Sequence, residues 1–332
     1  MQENNHKSTP LSSTPNFIIY SPSYEETSGG TIVLHKLCDL INERGYSAKI
    51  WPHHYPPLMS SMMGCGFKYT LHKTFKNLIQ LARGKRKKDF KLSRERHDGT
   101  VLAGIQDLRD STIVIYPDII YGNPLNAKNV VRWWLYKSSF HPRKKQAGVT
   151  ELNFHYLESF LNQALINEGS YLLSPVVIMK NTYKQTNFGA RRGCCHIIRK
   201  GRSKLLDQHP QDSILIDGLT HEETAKVFNE VEYCVCYDSY TLLSGYAVFC
   251  GCKVMVVPDE GVTLEEWLPD ERARYGLAYG KENTAWAEST RHLVLEEWLT
   301  KEKQNIEMTK KLLEKCLSHF LPLIRGGVRN FV

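Results

Sequence analysis

Cys234-Val-Cys-Tyr-Asp-Ser-Tyr-Thr-Leu-Leu-Ser-Gly-Tyr-Ala-Val-Phe-Cys-Gly-Cys-Lys-Val-Met-Val-Val-Pro258 decides the reading of this chain. It runs as a short buried strand, a polar turn, a helix, a glycine stop and a second buried strand. The turn, Asp238 to Thr241, falls where a parallel sheet presents its carboxyl edge. Ligands in open α/β sheets bind at that edge.

The same grammar extends outward in both directions. Upstream, Cys194 to Lys200 is a strand with a basic exit, followed by Gly201-Arg-Ser-Lys204. Ser213 to Ile216 is another strand, and Thr220-His-Glu-Glu223 is a capping box that opens a helix to about Glu230. Downstream, Thr263-Leu-Glu-Glu266 repeats the box, and Asn283 to Thr290 and Leu293 to Phe320 have helical spacing. In the first half, Asn16 to Tyr20 is an apolar strand, and Ser28-Gly29-Gly30-Thr31 leads into a helix. That helix buries Val33, Leu34, Leu37, Cys38 and Ile41 and stops at Gly45. Ser47 to Trp51 follows as a strand, completing a βαβ unit. Asp110 to Tyr116 is a further buried strand. Asn126 is expected to cap a helix running to about Lys137, and Phe67 to Ala82 has a mixed helical pattern. Phe154 to Leu173 mixes both signals, Ser138 to Gly148 is a basic loop, and Ser174 to Asn187 is the expected crossing between halves. Strands alternating with helices in both halves imply an α/β protein with two parallel-sheet domains.

The chain has 332 residues, 42% hydrophobic and 23% charged, enough for two ordinary cores. A net charge of +8 suits an anionic partner. The basic run Arg83 to Arg96 suggests contact with an anionic membrane face, and no nucleic-acid recognition module accompanies it. Residues 1–15 are polar and read as a disordered tail, not as a secretion signal. No apolar run spans a bilayer, so the expected location is cytoplasmic, at most peripheral on a membrane. Of the nine cysteines, several lie in apolar runs and read as reduced core residues. Cys250-Gly-Cys252 lacks the spacing and the histidines of a metal site, so no metal is expected.

In their order, Gly29-Gly30 after the first strand, Arg199-Lys200 after the first strand of the second half, then Asp238, Tyr246-Ala247 and Cys250-Gly251 resemble the GT-B glycosyltransferases. Tyr116-Pro-Asp118, Gly122-Asn-Pro-Leu125 and Val256-Val-Pro-Asp-Glu-Gly-Val262 are similar to the bacterial members that build surface polysaccharides, of the capsule or O-antigen type. The resemblance covers about Asn16 to Tyr279. It implies a GT-B fold of two Rossmann-like domains facing across a cleft: 16–175 for the acceptor, 176–305 for the nucleotide sugar, and 306–332 as a helix crossing back. It also implies transfer of a sugar from a nucleotide-activated donor to a growing glycan or lipid-linked saccharide, with no cofactor and no metal. Retaining members carry a Glu-x7-Glu element, and the matching positions here are Asp238 and Tyr246. Asp238 keeps a carboxylate and leans the stereochemistry towards retention. Tyr246 departs, and a phenol cannot hold a diol as a carboxylate does.

Each candidate has a plainer reading beside it. Asp238, with Ser239, Tyr240, Thr241 and Ser244, is expected to face the donor, though one of them would suffice as a helix cap. Arg199, Lys200 and Lys204 are expected to hold the diphosphate, or else are a solvated strand exit; Arg202 is secondary. Ser28, Gly29 and Gly30 wall the cleft at a helix N-terminus, or make a tight turn. Asp118 is the candidate base in the first half, or the start of a turn. Asn123, Arg132 and Glu260 complete the set, and His35 reads as a packed residue. Two other classes stay open: a non-catalytic sugar-binding relative, favoured by Tyr246, and a dinucleotide-dependent oxidoreductase or epimerase, disfavoured by the missing G-x-G-x-x-G.

Overall fold

A computed structural model describes residues 14–53, 90–93, 102–137, 151–161 and 169–326. The helix expected at Phe67–Ala82, the loop Ser138–Gly148 and most of the basic run Arg83–Arg96 lie outside the described residues.

Two sheets organise the chain, and each is parallel throughout. The first holds β1 (Phe17–Ser21), β2 (Ala48–Pro52), β3 (Ile113–Pro117), β4 (Asn129–Trp134), β5 (Leu152–His155) and β6 (Tyr171–Leu172), in the order β2-β1-β3-β4-β5-β6. The second holds β7 (Cys194–Ile197), β8 (Ile214–Leu215), β9 (Tyr233–Cys236), β10 (Lys253–Val256) and β11 (Leu277–Tyr279), in the order β11-β10-β9-β7-β8. The helices are α1 (Gly29–Glu43), α2 (His221–Glu230), α3 (Leu242–Phe249), α4 (Leu264–Trp267), α5 (Thr284–Thr290) and α6 (Val294–Gly326). This is the expected α/β class, two Rossmann-like parallel sheets.

The order of strands locates the ligand edges. In the first sheet the chain winds out from β1 to β2, then returns to the other side of β1 as β3. In the second it winds from β7 to β8, then returns to the other side of β7 as β9. A crevice opens at the carboxyl ends of strands where the winding reverses. The crevices are therefore β1/β3 and β7/β9. The latter is where Arg199 and Asp238 leave their strands.

Local chemistry explains the elements that frame them. Val235 and its cysteine neighbours on β9 are buried on both faces, as a central parallel strand requires. Both capping boxes form. Thr220 accepts from the Glu223 amide at 3.2 Å, and Thr263 does so from Glu266 at 3.2 Å. Gly45 ends α1 in the left-handed conformation, φ 78°. The eight described cysteines are free and buried.

One expectation is corrected. The helix expected from Asn126 to Lys137 is instead the strand β4, Asn129–Trp134. Every side chain of Asn-Val-Val-Arg-Trp-Trp is buried, and it is paired on both sides, to β3 and β5. Branched and aromatic side chains fit a strand buried on both faces, where no amphipathic stripe is needed. Asn126 sits at φ 50°, a turn conformation that Asn tolerates, and not at a helix cap. The unassigned stretch Phe154 to Leu173 contributes to β5 and β6.

α6 spans both cores. Val294 and Trp298 pack with the second sheet's cluster, and Leu312, Leu313, Cys316 and Phe320 with the first. Between them, Asn305 grips the extended connection: it accepts from the Val176 amide at 2.9 Å and donates to the Val176 carbonyl at 2.7 Å. Among the described residues no helix is long and apolar enough to cross a membrane.

Candidate active site

A cleft lies between the two carboxyl edges. Ser28, Gly29, Gly30, Tyr136 and Phe160 line it from the first half, and Arg199, Lys200, Asp238, Tyr240 and Thr241 from the second. Ten residues from both halves of the chain are thus brought to one place, and eight of them were nominated from sequence: Ser28, Gly29, Gly30, Arg199, Lys200, Asp238, Tyr240 and Thr241.

The turn after β7 sets the cations. Arg199 takes a positive φ of 41°, unusual for a side-chain-bearing residue. Asp217 holds it there, accepting from the Ile198 amide at 3.1 Å and the Arg199 amide at 2.7 Å. Gly201 closes the turn against the backbone of Tyr237, where an added Cβ would sit 2.3 Å from its carbonyl carbon and oxygen. Only glycine permits that approach. The consequence is that Lys200 stands beside Asp238, the next residue along β9's exit. Lys200 is exposed as a residue, but its ammonium lodges over the Tyr136 ring, 3.5 Å from the centroid. That partial burial pulls its pKa down, while the fields of Asp238 and Asp118 pull it up and that of Arg199 down, with a net lowering.

Asp238 is buried and accepts from the Tyr240 amide at 3.3 Å. Burial raises its carboxyl above the ordinary range despite the nearby Lys200 and Arg199. Thr241 caps α3, accepting from the Leu243 amide at 3.3 Å. The plainer role of helix cap thus belongs to Thr241, and the Asp238 carboxylate is not needed for it. Opposite, Ser28 is the N-cap residue of α1 but its side chain makes no capping bond. A Cβ on Gly29 would meet only Leu242, at 3.5 Å, and one on Gly30 only Leu135, at 3.9 Å.

Other nominated residues are spent elsewhere. Lys204 pairs with Asp259 at 2.8 Å and donates to Ser239 Oγ at 2.7 Å. Ser239 in turn donates to Asp259 at 2.9 Å. The Ser244 hydroxyl turns back onto the Thr241 carbonyl at 2.8 Å. Tyr246 lines the cleft with its ring, but its hydroxyl donates to the Val177 carbonyl at 2.8 Å and the ring stacks on Tyr183, 4.3 Å between centroids. Glu260 is exposed at the rim with Lys204 and Lys281. Asn123 organises the loop after β3, accepting from the Tyr116 hydroxyl and the Ala127 amide at 2.9 Å each. Arg132 is buried, donating to Glu151 at 2.8 Å and to the carbonyls of Ile120 and Gly122. Asp118 is buried at the end of β3, close enough for its charge to act on Lys200. His35 is buried between Tyr24 and Phe90.

Several residues of the site were not foreseen. Asp217 carries the cationic turn, and Asp259, one residue before the nominated Glu260, is the carboxylate that meets the cations. Burial alone would raise Asp259, but Lys204, Ser239 and Lys137 hold it low. Lys137 reaches across the cleft to Asp259 at 3.4 Å and lies over the Tyr240 ring at 4.7 Å. Tyr136, Phe160 and Tyr240 form an aromatic cluster across the cleft, with centroids 5.1 to 5.9 Å apart. Tyr136 lies two residues past the end of β4, a position at a sheet edge that the helix expected there hid. Among the described residues no three His, Cys, Asp or Glu side chains are placed to hold a metal ion.

No protein-family model matches the chain, and no curated protein does. Solved structures do align over its length. A glycosyltransferase of kitacinnamycin is 8% identical with a TM-score of 0.40, covering 92% of this chain and 99% of that one. An alpha-glucosyltransferase in complex with UDP is 11% identical with a TM-score of 0.41, covering 92% and 96%. The glycosyltransferase SnogD from Streptomyces nogalater is 10% identical with a TM-score of 0.30, covering 92% and 100%. Values this low leave the reading to the geometry.

Proposed function

We propose that the protein is a GT-B glycosyltransferase that moves a sugar from a nucleotide-activated donor to a growing glycan or lipid-linked saccharide of the surface-polysaccharide kind. One observation carries the reading: at the β7/β9 crevice a strained turn sets Arg199 and Lys200 beside the buried Asp238 carboxyl, facing the N-terminus of α1 across a cleft. A leaving diphosphate needs fixed cations, and Arg199 and Lys200 supply them without reorganisation. The N-terminus of α1, where the Ser28 side chain makes no capping bond, adds partial positive charge from the other wall. Asp238 orients the transferred sugar through its hydroxyls and favours the retaining course. Asp118, in the first half, is the second carboxylate of the site. Tyr246 contributes a ring face, since its hydroxyl is occupied, so the ribose is held by another group. Domains 16–175 and 176–305, with 306–332 returning to the first, would close on the substrates. The enzyme would work in the cytoplasm, with the basic run Arg83–Arg96 against anionic lipid.

The test is a panel of nucleotide sugars, with binding read by thermal shift and turnover by nucleotide release in the presence of acceptor. Release that Asp238→Ala abolishes supports transfer. Binding with no release favours the non-catalytic reading, which the occupied Tyr246 hydroxyl supports. Stabilisation by a nicotinamide cofactor alone overturns the proposal.

A further inference from the structure

The second half of the cleft divides at Arg199 and Lys200. On one side lie Asp238, Ser239, Lys204 and Asp259. On the other is a hollow walled by Ile216, Gly218, Leu219, His221 and Thr224, with Thr27 from the opposite half. His221 faces both this hollow and the main cleft.

His221 is the first residue of α2 and only 6% exposed. One ring nitrogen, Nδ1, is bonded to the Tyr183 hydroxyl. The other, Nε2, is buried and makes no close hydrogen bond among the described residues. Buried polar side-chain atoms are nearly always paired, and an exception calls for a reason. The surroundings fix which nitrogen carries the proton. Tyr183 is flat against Tyr246 and cannot turn away, and burial pushes its phenol up, so it keeps its proton. The Thr224 hydroxyl bonds to the same phenol oxygen. The Glu26 backbone carbonyl favours an N–H on the ring, so Tyr183 donates to Nδ1 and the ring proton sits on Nε2. Burial lowers the imidazole's pKa, against the opposing pull of the Glu26 backbone carbonyl that the ring faces and of the Glu26 and Glu222 charges, and with that of Arg199. The result is an N–H beside the Glu26 backbone at the cleft wall, at the N-terminus of α2.

We infer that His221 Nε2–H is a hydrogen-bond donor to an acceptor oxygen, a base carbonyl or a ribose hydroxyl, in the nucleoside half of the donor. This rests on the function proposed above. With the diphosphate on Arg199 and Lys200 and the sugar towards Asp238, the hollow that remains for the nucleoside is the one His221 faces. His221 is then a positioning residue for binding, with Tyr183 setting its tautomer.

The experiment is calorimetric titration of the full chain with uridine, adenosine and guanosine diphosphates and with inorganic pyrophosphate. His221→Ala should weaken the best nucleoside diphosphate about tenfold, the worth of one hydrogen bond, and leave pyrophosphate unchanged. His221→Gln, whose amide N–H reaches about as far as Nε2, should restore most of it, and His221→Asn should not. Tyr183→Phe should give a loss of a few-fold, without changing pyrophosphate binding. In turnover the Ala variant should raise KM and spare kcat. Nucleoside diphosphate and pyrophosphate weakened alike, or neither weakened, overturns the inference while leaving the proposed function standing; the Gln variant keeps this decisive if Ala fails to fold. A wild-type chain that binds no nucleoside diphosphate overturns the proposed function and the inference with it.

Discussion

The two crevices of this molecule are built by the same winding and filled in opposite ways. At β7/β9 the charges are poised: Arg199 sits in a strained backbone, Lys200 rests on a ring, and Asp238 is buried beside them without being needed as a cap. At β1/β3 and its flank the polar groups are consumed. Arg132 is locked to Glu151 and two carbonyls, and Asn123 to its own loop, while the cleft wall is Leu135, Tyr136, Leu157 and Phe160. A charged residue near a sheet edge is therefore a poor ligand candidate where the fold consumes its bonds, as it does for Arg132. The first half offers shape and rings; the second offers charge.

Removing a charge from each region should break the protein differently. Arg132→Met leaves Glu151 buried with no cation, since their side chains are 4% and 9% exposed. A buried pair broken on one side costs about 3–5 kcal/mol, so chemical denaturation should show a large loss of stability. Asp238→Asn should do the reverse, cutting turnover by about 100- to 1,000-fold in a nucleotide-release assay, the scale of losing one preorganised group at a reacting centre. Its stability should move in the opposite sense to its activity. Burial raises the Asp238 carboxyl above its ordinary value of 3.8, so the folded state binds more protons than the unfolded one in the window just above that value. The wild type loses stability as pH rises through the window, and Asn does not. Melting curves should coincide at the acid end and favour Asp238→Asn at neutral pH.

Smaller substitutions sharpen the same contrast. Gly201→Ala forces a Cβ onto the Tyr237 backbone, and overpacking of this kind costs about 1–3 kcal/mol. Donor binding should weaken with it, because the turn carries both cations; unchanged donor affinity in a folded variant would separate the turn from the site. Gly30→Ala is the mildest. The added methyl meets Leu135 only at 3.9 Å, so α1 should gain about 0.5 kcal/mol from better helix propensity while KM rises a few-fold as the cleft narrows. A melting scan and a substrate titration on the same sample check both halves of that expectation.

The strand–turn–helix–strand from Cys234 to Pro258 was readable because its apolar runs, cap and glycine stop are local signals, and so were both capping boxes. Asn126 to Lys137 was misread because a strand buried on both faces has no period of its own; Val130, Val131, Trp133 and Trp134 fit either pattern until neighbouring strands choose. The site was legible where a residue's role follows from its place at a strand exit, as for Arg199, Lys200 and Asp238. It was not legible where the role depends on a distant partner. The Tyr246 hydroxyl meets Val177, Lys204 meets Asp259, and Asp217 meets the turn 18 residues before it, and no spacing rule announces such pairings.

α6 gives the last word on how this protein comes into being. Its final turns complete the core of the first half through Leu312, Leu313, Cys316 and Phe320. A ribosome delivers those residues only after the strands of both sheets have been synthesised. The first sheet must wait, its apolar face incomplete, while the second is synthesised, and contacts of such high sequence separation fold slowly. Truncation before Leu312 would thus damage the half of the protein furthest from the cut, and expression of the first half alone should yield aggregate.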